Sequence, residues 1–141
     1  MPDSGYALDV THTVSPVLNH PITDGIEPFE LVDELYLAPV FEDSVTPLFT
    51  SDFSFEYQNF SSAALALQGR LNARDDWTHP PGSNLVGWIK TAGNSPIVYL
   101  QFGDGASTYQ NENYRQILAN AIEWACSAQA AHWARIEQSP L

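Results

Sequence analysis

Three places in the chain carry side chains able to do chemistry. They are His20 in "HPIT", the adjacent acids Asp33 and Glu34 inside the apolar run "FELVDELYL", and Asp104 between two glycines in "FGDGAS". An imidazole can move a proton near neutral pH or bind a divalent ion, and a carboxylate can serve as its base, orienter or co-ligand. A catalytic zinc needs three protein ligands, so a His and a Glu from these elements would need a third, for which Asp104 is the available group. The acid pair sets a problem of its own. An apolar run gains by burial, whereas an unpaired buried carboxylate costs several kcal/mol or takes up a proton. Neighbouring strand residues point to opposite faces, so one acid can reach solvent or cap a backbone amide while the other faces inward toward a polar cleft.

Each of these residues also has a plain structural reading. Pro21 biases His20 to extended backbone at a turn, where an imidazole bonds a neighbouring carbonyl. Gly103 and Gly105 allow a sharp turn ahead of a helix, a geometry that can hold an anion, but an Asp within the loop favours a simple turn. His12 and His79 have no partner at a ligand spacing and read as surface or turn residues. Cys126, the single cysteine, falls among alanines of a helix and reads as a small buried hydrophobe rather than a nucleophile. Phe53, Phe55, Tyr57, Phe60 and Trp77 can stack on a sugar ring, although packing beneath a long loop is the commoner fate. No nucleophile elbow, Walker loop, HExxH or EF-hand loop is present.

The elements that must position these groups follow from pattern. "YALDVTHTV" reads as a short strand with Tyr6, Leu8 and Val10 on one face, followed by the turn chemistry of "SPVLNHPITDGI". Alternation in "FELVDELYLAPVF" breaks at the acid pair, which places a loop up to Val32 and a strand over 34–41. "VTPLFTSDFSF" is a further strand. A long loop over 52–84 has one possible helical turn at Ala63–Leu67. "NLVGWIKTAGNSPIVYLQFGDG" reads as a hairpin with a Gly-Asn-Ser-Pro turn. Tyr114, Ile117, Leu118, Ala121, Ile122 and Ala125 then recur at intervals of three and four, predicting one long C-terminal helix with Ile122 buried and a stripe running on to Trp133 and Ile136.

Composition narrows the functional classes. With 141 residues, 44% of them hydrophobic, the chain reads as one domain, 1–141, with a core that needs no disulfide. Seventeen acids against five bases give a net charge of −12, which repels a phosphate backbone and argues against nucleic acid as partner. No basic leader followed by an apolar run opens the chain, and no segment approaches the eighteen apolar residues of a membrane span. The expectation is a soluble, cytoplasmic protein with no membrane partner.

The run "HPIT.GI..F.LVDELY", the later "PIVYLQFGDG" and the helix "N..YRQIL.NAIEWA" together resemble the ThuA-like (trehalose utilisation) family, over 20–125 with the middle loop unmatched. The resemblance is to the C-terminal half only, since family members carry several strand-helix units ahead of the His-Pro-Ile element. It implies a class I glutamine amidotransferase-like, flavodoxin-like α/β half-fold, strand-rich with a long C-terminal helix. No residue here replaces the nucleophilic cysteine of true amidotransferases, and Gly103-Asp104 stands where the family usually has Gly-His. The family's glutamate falls on Glu34, which makes His20, Glu34 and Asp104 the candidate catalytic set, with Tyr36 and Gly103 as substrate contacts and a divalent metal possible. The implied function is binding of a small carbohydrate, trehalose or a related sugar, in a polar cleft. Two alternatives stay open: a hydrolase or isomerase acting on sugars through His20 and Glu34, and a non-catalytic interaction protein. A half sandwich would leave a strand edge open, so a homodimer or a second chain is expected.

Overall fold

The computed structural model describes residues 3–136. Six strands form one sheet: β1 (Gly5–Pro16), β2 (Phe29–Leu37), β3 (Thr46–Ser51), β4 (Ser61–Ser62), β5 (Leu85–Ala92) and β6 (Ser95–Leu100). The order is β2-β1-β3-β5-β6, with the short β4 beside the start of β1, and every pairing is antiparallel. The architecture is therefore mixed α/β and strand-rich. A flavodoxin-like sheet is built from parallel strands, which need helical crossovers. The connections from β1 to β2 and from β2 to β3 carry only three-residue 3₁₀ turns, Pro21–Thr23 and Glu42–Ser44, and antiparallel return is what such short links permit.

β1 begins in one phase and ends in another. Its register to β2 slips between Ala7 and Val10, where Asp9 adopts φ 51°. The bulge turns Leu8 out to 50% exposure, against the expected common face with Tyr6, while His12 and Val14 point into the core. β2 keeps strict alternation along its whole length, and the expected loop up to Val32 is strand. Phe29, Leu31, Asp33, Leu35 and Leu37 are buried; Glu30, Val32, Glu34 and Tyr36 lie on the other face. The interruption read at the acids is absent because Asp33 is a true member of the buried set. The β5–β6 hairpin turns on Gly93 and Asn94, with Gly93 supplying a positive φ of 56° and Ala92 paired to Ser95.

Four helices follow the chain: α1 (Ala63–Leu67), α2 (Ala106–Gln110), α3 (Glu112–Ala125) and α4 (Ala128–Ile136). The predicted single C-terminal helix is thus two, divided at Cys126 and Ser127. Asn111 caps α3, its side-chain oxygen accepting from the amides of Asn113 and Tyr114. The buried stripe of α3 is Tyr114, Ile117, Ala121 and Trp124. Ile122 is 59% exposed and Ile136 57%, so both predicted core positions are corrected. Choosing Trp124 for the sheet side rotates Ile122 outward, and the apolar ring of this helix is wide enough to allow either phase. Cys126 is exposed rather than buried, since it sits at the break between the two helices. The segment 52–84 holds a 3₁₀ turn, β4 and α1, and its aromatic rings pack on one another: Phe53 meets Phe55 and Phe60 at centroid distances of 5.9 and 5.7 Å.

The sheet curls until β2 faces the segment after β6, and side chains make that seam. Gln101 accepts from the Tyr36 amide and donates to the Tyr36 carbonyl, each at 3.3 Å. Ser107 Oγ donates to Val32 O at 3.4 Å, and Asn111 Nδ2 donates to Glu30 O at 3.3 Å. A row of backbone groups that would otherwise lie open at a sheet edge is satisfied in this way.

Candidate functional site

Asp33 resolves the placement of the acid pair. Its side chain is 4% exposed, and the carboxylate accepts four backbone N–H groups. Gly103 N lies 2.6 Å from Oδ2; Glu34 N, Gly105 N and Asp104 N lie 2.9, 3.2 and 3.3 Å from Oδ1. The glycine turn is an anion nest, and its anion is a side chain of the same protein. Gly103 sits at φ 132°, and a Cβ there would come within 2.6 Å of the Tyr114 hydroxyl, so glycine is required by both backbone and neighbour. Of the two acids, the one that caps amides is also the one that faces inward.

Glu34 and Tyr36 lie two residues apart on the outer face of β2, both half-buried, and the exposed Asp104 stands beside them. Burial pushes the Glu34 carboxyl up, with the Asp104 and Asp33 charges adding to it, against the Tyr36 hydroxyl, which donates to Glu34 and pulls it down. The Tyr36 phenol is pushed up to about 12 by burial and by the Glu34 charge it bonds to. Four of the five residues singled out from the sequence are brought together here: Glu34, Tyr36 and Asp104 directly, and Gly103 through Asp33. The Gly103 N–H is committed to Asp33.

His20 has a different setting. It is the N-cap of the Pro21–Thr23 turn, where its Nδ1 accepts from Ile22 N at 3.2 Å and its backbone N–H donates to Thr23 Oγ1 at 3.0 Å. Its ring meets Trp124 edge-on at 4.8 Å, and burial lowers its pKa. It lines an open cleft of about 500 Å³ together with Asn19, Asp24, Asn120, Glu123 and Trp124. Asn120 ties the cleft to its floor by donating to the carbonyls of Ile22 and Asp24. These neighbours share no residue with those of Glu34. Among the described residues no three His, Cys, Asp or Glu side chains converge as metal ligands, so the donor set does not fit a divalent ion and no step below runs through one.

The sequence matches the family described as ThuA, trehalose utilisation, over residues 4–125. The chain belongs to the ThuA family. The match begins ahead of His20 and takes in β1, so the family pattern extends beyond the elements from which the resemblance was read. No curated protein and no solved structure matches the chain. This ThuA-family protein also carries two buried histidines that sequence reasoning placed at the surface. His12 is 3% exposed, shares a 2.8 Å hydrogen bond with Ser51 Oγ, and has its pKa lowered by burial, against the Asp52 and Asp33 charges. His79 is 5% exposed and donates from Nδ1 to Pro80 O at 2.6 Å. In both, Nε2 is buried without a partner. Alternation from Val14 would have turned His12 inward, but the bulge at Asp9 hid the phase.

Proposed function

We propose that this ThuA-family protein binds a small carbohydrate, trehalose or a related sugar, in the cleft beside His20. One observation carries the reading: the family's His-Pro-Ile histidine stands in the wall of a 500 Å³ cleft whose other groups are amides, two carboxylates and an indole. Amides and carboxylates facing one space suit the paired donors and acceptors of sugar hydroxyls, and an aromatic ring suits their C–H faces. Titration calorimetry with trehalose and with glucose tests it. Asp24→Asn and Glu123→Gln should each weaken binding about tenfold, the scale of one hydrogen bond to a charged group. Absence of heat and of chemical-shift change around Asn120 with either sugar would refute it.

A second reading, a sugar-modifying hydrolase or isomerase, draws support from the Glu34, Tyr36 and Asp104 group. Two carboxyls and a phenol in contact, with Glu34 shifted upward, are the parts of a proton-transfer site. His20, with its separate neighbours, takes no part in that version. Turnover of a sugar that Glu34→Gln abolishes would favour it over binding alone. An assembly role, as homodimer or with a second chain, is supported by β6, which ends the sheet with no strand beyond it, and by the apolar groove of Val98, Leu100, Leu118 and Ile122 beside it. Sedimentation at micromolar concentration decides that point. Kinship with the glutamine amidotransferase-like fold rests on family membership alone, and a cytoplasmic single domain over 1–141 completes the proposal. No helix among the described residues is long and apolar enough to cross a membrane.

A further inference from the structure

The outer face of the β5–β6 hairpin carries Trp88 and Lys90 from one strand and Tyr99 and Gln101 from the other, and the corner over 38–45 folds beside it to enclose a pocket of about 190 Å³. Trp88 and Tyr99 are directly paired in the ladder, and their rings stack at 4.6 Å with 14° between planes. Phe41, 74% exposed, forms part of the lining. Pockets for drug-sized ligands span about 300–1,000 Å³, so this one suits a single ring.

The polar groups of the pocket are unequally available. The Gln101 amide is spent on both backbone groups of Tyr36, and the Ser44 hydroxyl donates to Phe41 O at 2.7 Å. The Tyr99 hydroxyl bonds Gln101. Lys90 has no ion-pair partner among the described residues, in a chain of net charge −12. A ring bearing several hydroxyls would bury them here without partners, at about 1–3 kcal/mol for each. A flat apolar ring avoids that cost, and one anionic group on it would meet the free ammonium.

We propose that this pocket binds a small aromatic carboxylate, its ring against the Trp88, Tyr99 and Phe41 side chains and its anion on Lys90. The site is separate from the His20 cleft and does not rest on the carbohydrate reading. Asp43 lines the adjoining cleft that Lys90 also borders, and is the protein's own competitor for that ammonium.

Titration of the full chain with benzoate, benzyl alcohol and glucuronate, followed through the Trp88 indole N–H resonance, tests the assignment. Benzoate should shift that resonance, and benzyl alcohol should bind about fivefold more weakly, the scale of one partly screened ion pair. Glucuronate should leave the resonance unmoved. Lys90→Met should abolish the advantage of benzoate over benzyl alcohol, Asp43→Asn should strengthen benzoate binding, and added salt should weaken it. Both side chains lie off the core, so an amide spectrum unchanged elsewhere confirms the fold of each variant. Glucuronate binding as tightly as benzoate, an unmoved Trp88 signal with benzoate, or an undiminished benzoate preference in Lys90→Met would each overturn the proposal.

Discussion

Asp33→Asn is the substitution that most directly probes how the glycine turn is held. Asparagine keeps the shape but offers one acceptor oxygen. The best orientation leaves that oxygen where Oδ1 stands, bonded to the amides of Glu34, Asp104 and Gly105, and turns the NH₂ toward Gly103 N, which lies 2.6 Å from Oδ2. One charge-assisted hydrogen bond worth about 1.5–3 kcal/mol is lost, two donors are set against each other, and three bonds fall from charged to neutral strength. The total comes to about 3–4 kcal/mol, or a fall of roughly 10 °C in Tm for a chain of this size. Urea unfolding followed by tryptophan fluorescence measures the first quantity. Hydrogen exchange at Gly103, Asp104 and Gly105 should accelerate beyond the global change. Glu34→Gln is the control, because it removes the same unit of charge one residue away but on the outer face, and should cost less than about 1 kcal/mol. Equal effects of the two variants, or an Asp33→Asn protein within about 0.5 kcal/mol of the parent, would refute the account of the turn as a nest filled by its own carboxylate.

Gly103→Ala should destabilise by about 2–3 kcal/mol through its φ of 132° and the Tyr114 hydroxyl 2.6 Å from the new Cβ, and adding Tyr114→Phe should recover part of the loss in the same unfolding assay. Ile117→Asp should prevent folding, whereas Ile122→Asp should change stability by less than about 1 kcal/mol, because Ile117 is fully buried and Ile122 is 59% exposed; circular dichroism of the two separates them. Burial lowers the pKa of His12 and His20 below their ordinary 6.5, so the folded state binds fewer protons than the unfolded chain, and stability is full above pH 6.5 and falls as pH drops below it. His12→Gln should flatten that acid limb between about pH 7.5 and 5.5, where each histidine contributes at most about 1.4 kcal/mol per pH unit; an unchanged slope would show that His12 does not titrate there.

The elements legible in the sequence were those whose pattern is local. The β5–β6 hairpin, the helical turn at Ala63–Leu67 and the cap and first turns of α3 follow from turn glycines, alternation and three-four spacing. The errors have long-range causes. Asp33 looked like a break in the strand because the amides that accept it in the core come from a turn seventy residues later. Leu8 and His12 were given the wrong faces because Asp9 inserts a bulge that shifts the phase. Ile122 was given to the core because the wide apolar ring of α3 leaves its rotation to the packing of Trp124 on His20. The site was legible as residue types and not as a constellation: Glu34, Tyr36 and Asp104 meet across the curl of the sheet, whereas His20 belongs to the cleft between the Pro21–Thr23 turn and α3.

The side-chain seam along β2 also decides how this protein can associate. Gln101, Ser107 and Asn111 occupy the backbone groups that another strand would need, so sheet extension at that side would first have to displace them. β6 is the end of the ladder without such a cover. A sheet with both ends open can add copies indefinitely and grow into a fibre, while one with a single open end can only join another such end and stop. Three polar side chains thus convert open-ended growth into pairwise closure. Removing Gln101 would bear on polymerisation more than on the affinity of any ligand.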